Sequence, residues 1–315
     1  MPFFSRCSPG KASAPRSPRN DAPALSNRRI SILRHLRSLI GERHPHSAPE
    51  ALTRAAEYLA ARFVEYGWAT SRQSFSALGR SYVNLLAIKS PTGRPAQDRL
   101  APLLIGAHYD TVMASPGADD NASALAVLLE AAKRLSRTAV SRPVWLAAFC
   151  LEEEGLLGSR AFTRHLKQAG QPLYGAIVLE CVGYASQEAG SQRTPPGVPI
   201  PVPTVGNFLG IIGNEASRDL LAVVDRNARR AAPSMPTLAL AVPGRGELLP
   251  DVRRSDHAAF WDDGYAAVML TDTANFRNPH YHQPSDTLDT LNLGFIEGVI
   301  RTVVASVEEL ARKPD

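Results

Sequence analysis

Cysteine is scarce in this chain: Cys7, Cys150 and Cys181 are the three among 315 residues. That excludes a disulfide framework and a zinc site built from cysteine alone. No apolar run reaches the ~18 residues that a membrane-spanning helix needs. The start of the chain lacks the apolar stretch of about 7–15 residues that marks a secretory signal. No internal repeat is visible. Acidic residues are nearly missing from positions 1–43, where nine Arg and Lys face only Asp21 and Glu42. That segment carries +7 of a formal net charge of +5, which leaves −2 for the rest. The positive charge therefore sits in a tail, and the body has no basic footprint for nucleic acid. Neither a nucleic acid nor a membrane is an expected partner, and oligomeric state leaves no mark in the sequence.

What is present suffices for a large core. Hydrophobic residues make up 44% of the chain, so no cross-link is needed to hold it together. Residues 1–24 are rich in Ser, Pro, Arg and Ala and read as a disordered basic tail. Pro2, Pro9, Pro15, Pro18 and Pro23 interrupt the amphipathic helix that an organelle presequence requires. With no readable signal, a cytoplasmic location is expected. Residues 25–315 read as one domain.

Apolar runs at 83–88, 102–107, 144–151, 176–179, 208–212, 238–242 and 266–270 predict buried strands. Helical periodicity follows Ser26 and recurs over 122–135, 156–167, 216–230, 255–261 and 291–310. Ser47-Ala-Pro-Glu50 reads as a capping box with Pro49 in the first turn, and Gly67 closes that helix. Strands that are apolar throughout, separated by helices, predict an α/β fold: a mostly parallel central sheet with helices on both faces. The proline-rich stretch 185–206 predicts a long loop.

Polar residues collect where such a sheet binds ligands, at the carboxyl ends of its strands. The run ending at Ala107 enters His108-Tyr109-Asp110, the run ending at Leu151 enters Glu152-Glu153-Glu154, and the run ending at Leu179 enters Glu180. A carboxylate beside an apolar strand is costly without a partner, and three such strand ends are hard to ascribe to chance. Alone, His108-x-Asp110 is also an ordinary polar strand end. As a site, His108 binds a metal and Asp110 holds its second nitrogen. In Gly117-Ala-Asp-Asp-Asn121, Asp120 suits a bridge between two cations, with Asp119 or Asn121 as helix cap. Among Glu152 and Glu153, one binds metal and the other accepts a proton, provided that the chain turns sharply, which Gly155 permits. The segment 278–287 offers His280 and His282, with Asp286 or Thr287 as cap; His257 competes, beside Ser255 as another cap.

These stretches resemble a known family. GAHYDT (106–111), PGADDNASA (116–124), LEEEGLLGS (151–159), VLECVGY (178–184), RRSDHAAFWDDGYAAVMLTDT (253–273) and RNPHYHQPSDT (277–287) are similar to the two-zinc exopeptidases related to bacterial leucyl aminopeptidases. Glutamate carboxypeptidases and glutaminyl cyclases share that fold. The resemblance implies His108 and Glu180 on one zinc, Glu153 and His282 on the other, and Asp120 between them. It implies Glu152 as general base and Asp110 as partner of His108, and removes His280 and His257 from the ligands. Glu180 departs from the Asp of well-known members, and Ala124 from a usual Gly. Three carboxylates leave one positive charge on two divalent ions, which a bridging hydroxide balances; that hydroxide is the implied nucleophile. The implied activity is release of the N-terminal residue from peptides. Carboxypeptidase action, with Arg253 and Arg254 near the site, glutaminyl cyclisation, against which Tyr281 stands before His282, and a non-catalytic binding protein on this scaffold are the rivals. Cys150 and Cys181 read as buried thiols, or as a pair if their strands are neighbours.

Overall fold

The computed structural model describes residues 27–91 and 100–312; the expected tail at 1–24 and Cys7 lie outside the described residues. Among these residues, eight strands form one sheet: β1 (Ala69–Ala77), β2 (Arg80–Lys89), β3 (Leu103–His108), β4 (Val144–Phe149), β5 (Gly175–Glu180), β6 (Leu209–Asn214), β7 (Thr237–Val242) and β8 (Ala267–Thr271). Their order is β1-β2-β4-β3-β5-β8-β6-β7. β4, β3, β5 and β8 run parallel, as do β6 and β7. The pairs β1–β2, β2–β4 and β6–β8 are antiparallel.

Among the described residues, seven helices cover the sheet: α1 (Asn27–Leu39), α2 (Pro49–Glu65), α3 (Ala124–Leu135), α4 (Leu157–Gln168), α5 (Arg218–Ala231), α6 (His257–Asp262) and α7 (Leu293–Arg312). The two-residue period of a strand decides which layer each side chain meets. Leu103, Ile105 and Ala107 of β3 pack in the core shared with α1, α2, α3, α5 and α7. Leu104 joins the core that holds Phe162 of α4 and Phe260 and Trp261 of α6. All six residues of β3 are buried, and burial of each large apolar side chain contributes about 1.5–3 kcal/mol. Among the described residues, no helix is long and apolar enough to cross a membrane.

The apolar pattern misses β1. Its sequence, ATSRQSFSA, is mostly exposed, so no hydrophobic run marks it. It is held by an antiparallel register with β2 that runs from Ala69 opposite Ile88 to Ala77 opposite Arg80. Leu78 and Gly79, with φ of 49° and 71°, make the reversal between them.

The expected capping box does not form. α2 begins with Ala48 at its cap position and no side-chain bond there; the Ser47 hydroxyl instead meets Glu42 and the Nδ1 of His44. Gly67 does close the helix, at φ 81°, with its N–H on Val64 and that of Trp68 on Phe63. Neither Asp286 nor Thr287 caps the last helix. Residues 288–290 form a short turn first, and Asn292 accepts the N–H of Phe295 at 3.0 Å.

The chain leaves β3 through α3 to β4 on one side. It then crosses through α4 to β5 on the other side of β3. Crossovers of one hand in opposite directions lie on opposite faces, so a crevice opens at the carboxyl end of β3. Cys150 and Cys181 follow β4 and β5, which β3 separates; both are buried free thiols.

Candidate metal centre

Each strand around that crevice delivers a polar side chain at its end. His108 closes β3 and Glu180 closes β5. Glu152 and Glu153 follow β4, in a stretch where Leu151, Gly155 and Leu156 take φ of 61°, 89° and 62°. Those left-handed residues supply the sharp reversal that brings neighbouring glutamates to one site. Cys181 and His282 are left-handed as well, at φ 46° and 59°. Such a conformation costs on the order of 1–3 kcal/mol for a residue with a Cβ, and here it gathers around one cluster.

The distances define two groups that share one residue. His108 Nε2 lies 3.1 Å from Asp120 Oδ1 and 3.4 Å from Glu180 Oε2. His282 Nε2 lies 3.0 Å from Asp120 Oδ2 and 3.2 Å from Glu153 Oε2. Asp120 thus turns one oxygen to each histidine. In each group, and in a third made by His108, Glu152 and Glu153, the donor atoms lie within 4.8 Å of one another. Glu152 Oε2 stands 3.9 Å from His108 Nε2.

These side chains are close yet unpaired. His108 Nε2, both Asp120 oxygens, Glu153 Oε1 and His282 Nε2 are buried without a hydrogen bond. Native structures rarely leave such atoms unsatisfied unless something else engages them. Burial works to lower the His108 pKa, but Glu152 and Glu180, then Asp110 and Asp120, hold it well above the usual value. Burial likewise opposes protonation of His282, yet Asp120 and Glu153 raise it to about 10. Burial, then Asp120, pushes the Glu153 carboxyl up to about 7. Burial raises Glu152 well above the carboxylate range, which His108 opposes and Glu180 and Glu153 reinforce. Negative charge is in surplus. Two imidazoles and three carboxylates with open lone pairs fit divalent cations of zinc type.

An outer set of bonds fixes these side chains. Asp110 accepts the N–H of Glu152 on one oxygen and that of Glu153 on the other, both at 3.1 Å. Its expected bond to His108 is looser: Nδ1 is 3.6 Å from the carboxylate and 3.2 Å from the Asp110 carbonyl. Several residues expected as helix caps serve this shell instead. Asp286 accepts the N–H groups of Asp119 and Asp120. Ser255 donates to Glu180 Oε2 at 2.8 Å. Asp119 accepts from Gly183 N–H and the Asn278 amide, and Asn121 spans Leu179 and Cys181. Short polar side chains reach any nearby main chain, and sequence displays only their own helix. His257 and His280 stay outside the cluster: His257 Nε2 meets the Val252 carbonyl at 2.7 Å, and His280 Nδ1 meets Ser285 at 2.9 Å.

The loop at 185–206 is irregular apart from one bridge, Ala189 to Val205. It supplies Val198 and Ile200 to a mostly apolar cleft, and β6, β7 and β8 supply Ile212, Leu240 and Met269. Glu180, Arg254 and Tyr281 line the same cleft. Arg254 donates to the Tyr281 hydroxyl at 3.1 Å. Arg253 is engaged elsewhere, with Asp262 at 2.7 Å. The cleft is not legible in the sequence because its walls come from seven separate stretches of chain; the prolines of 185–206 are its one signal.

Comparisons with known proteins identify the family. The family model described as peptidase family M28 matches residues 91–307. The uncharacterized protein YfbL of Escherichia coli (strain K12) is 31% identical over 317 residues, covering 96% of this chain and 93% of that protein. Aminopeptidase YwaD of Bacillus subtilis (strain 168) is 26% identical over 242 residues, covering 73% of this chain and 45% of that protein. The chain spans about half the length of the curated aminopeptidases it matches. The crystal structure of Legionella pneumophila LapA aminopeptidase has a TM-score of 0.68 and 22% identity, over 91% of this chain and 73% of that one. At that identity the likeness speaks for the fold.

Proposed function

Because the chain belongs to peptidase family M28, we propose that it is a two-zinc aminopeptidase that releases bulky apolar residues from peptide N-termini. The observation that carries this reading is Asp120, whose oxygens face His108 and His282 at 3.1 and 3.0 Å. His108, Asp120 and Glu180 would hold one ion, and Asp120, Glu153 and His282 the other. Two divalent ions there would polarise the scissile carbonyl and acidify water.

The chain's own residues do the rest. Glu152 is the carboxylate left over once five ligands are assigned, and its place beside both groups suits a general base. It takes a proton from the attacking water and returns it to the leaving amine. Asp110, on the main chain of Glu152 and Glu153, keeps base and ligand on one side of the turn. The apolar cleft that begins at Glu180 takes the substrate's first side chain, and Arg254 and Tyr281 offer donors to peptide oxygens.

The test is metal analysis followed by a substrate panel. Leucyl and phenylalanyl peptides with blocked carboxyl termini are expected to be cleaved, and N-acetylated ones spared. A requirement for a free carboxyl terminus would move the assignment to a carboxypeptidase. Ring closure of N-terminal glutamine would move it to a cyclase.

A further inference from the structure

We propose that residues 41–47 are a strap that positions two ligand-bearing loops of the metal centre, with Arg43 as its positioning residue. These residues lie ahead of the stretch, 91–307, matched by the family model. Arg43 is 2% exposed. Its guanidinium donates to the carbonyls of Tyr109 (2.8 Å), Gly41 (2.6 Å), Pro116 and Gly117 (3.2 Å each) and also Leu39. Tyr109 follows His108, and Gly117 opens the turn to Asp120. One planar fork therefore ties the two ends of the segment between a histidine ligand and the shared aspartate.

The surrounding backbone is built to this fork. Gly117 has φ 60°, and a Cβ there would come within 2.4 Å of the Asp120 carbonyl and 2.9 Å of Arg43 Nη2. The Arg43 N–H meets Thr111 Oγ1 at 2.8 Å, and the Gly41 N–H meets the Pro116 carbonyl at 2.8 Å. The next residue reaches the other loop. His44 Nδ1 faces the N–H groups of His46 and Ser47, and its Nε2 lies 3.3 Å from Glu154 Oε1. Glu154 adjoins Glu153, so the third glutamate of the run anchors the turn instead of binding metal.

The test uses the whole protein, first stripped of metal and then titrated with Zn2+ against a chelator and with Co2+ followed by its absorption bands. Arg43→Lys keeps the charge but loses the fork, since an ammonium cannot span five separated carbonyls. It is expected to weaken Zn2+ binding by about 10–100-fold, the usual cost of losing support behind a ligand, and to alter the Co2+ bands. Arg142→Lys is the control: Arg142 is equally buried and donates to the carbonyls of Leu310 and Ala101. That variant should lower the thermal midpoint of the metal-free protein and leave Zn2+ affinity within about twofold. Equal affinity losses in the two variants, or unchanged binding in Arg43→Lys, would overturn the strap. Should Arg43→Lys fail to fold, Glu154→Ala carries the test: weaker Zn2+ binding supports the strap, and unchanged binding overturns it. The inference rests on the reading of the cluster as a metal centre. Failure of the wild-type protein to bind metal overturns both, whereas equal binding by wild type and variants overturns the strap alone.

Discussion

Two regions of this protein each bury a histidine, and the two rings respond in opposite ways. In the helical layer, His35 is 1% exposed, with its nitrogens 2.8 Å from the Tyr58 hydroxyl and 3.3 Å from that of Tyr66. Burial, helped by Lys133, Arg34 and Arg62, lowers its pKa to about 4. At the carboxyl ends of the strands, His108 is 0% exposed, and its pKa goes well above the usual value. Burial alone disfavours an imidazolium in both places. What differs is the balance of charge: around His35 stand two tyrosines, one carboxylate (Glu130, at 3.7 Å) and three cations nearby, whereas His108 faces a surplus of carboxylates. A surplus that overcomes full burial marks a site shaped for positive charge.

The comparison breaks most visibly at Glu152, which belongs to the anionic surplus but not to the five proposed ligands. Glu152→Gln is expected to lower hydrolysis by about 10²–10⁴-fold, the range for a lost general base, with both metals retained by elemental analysis. Full activity with both metals bound would remove Glu152 from the chemistry. The second test concerns His35. Its folded pKa lies below its unfolded value, so the folded state loses stability as pH falls from about 6.5 towards 4, because the unfolded ring protonates first. The loss amounts to at most about 3 kcal/mol. Denaturant titrations across that range should show a shallower decline in His35→Gln; identical slopes would mean that His35 does not titrate as buried and neutral.

The third test returns to the cluster. His282→Ala is expected to weaken one metal by at least about 10–100-fold, on the scale of disturbed ligand geometry, and His280→Ala to leave both in place. Because neighbouring carboxylates raise the pKa of both His108 and His282, Zn2+ binding at pH 7 should release protons if these rings are ligands, measured by calorimetry in buffers of different ionisation enthalpy. Fewer released protons in His282→Ala would tie that release to the site. The smallest effect is expected at Ser255. Ser255→Ala removes one hydrogen bond to Glu180, a change of about 0.5–1.5 kcal/mol, read as a severalfold drop in affinity for one ion.

Strand interiors such as Leu103–Ala107 were legible because apolar runs bury themselves wherever they are placed. Most of the site was legible for the converse reason, that carboxylates at the ends of such runs need a partner. Spacing stopped short at His280 and His282; the family resemblance pointed to His282, whose Nε2 lies 3.0 Å from Asp120 Oδ2. Asp119, Asn121, Ser255 and Asp286 were misread as caps, since the main-chain groups they engage lie in segments distant in sequence. Arg43 was counted with the charge of the tail, although it is buried against the centre. β1 was missed because exposed polar residues give no periodic signal.

That same polarity has a consequence at the rim of the sheet. β1 is an outer strand of nine residues, long enough for its unpaired main-chain groups to template another chain. Ser, Thr, Arg and Gln side chains along it, exposed or half-exposed, present no sticky face on which a second strand would settle. β7 forms the other edge of the sheet; at the β1 edge, the segment hardest to recognise as a strand is also one that gives a second strand little to settle on.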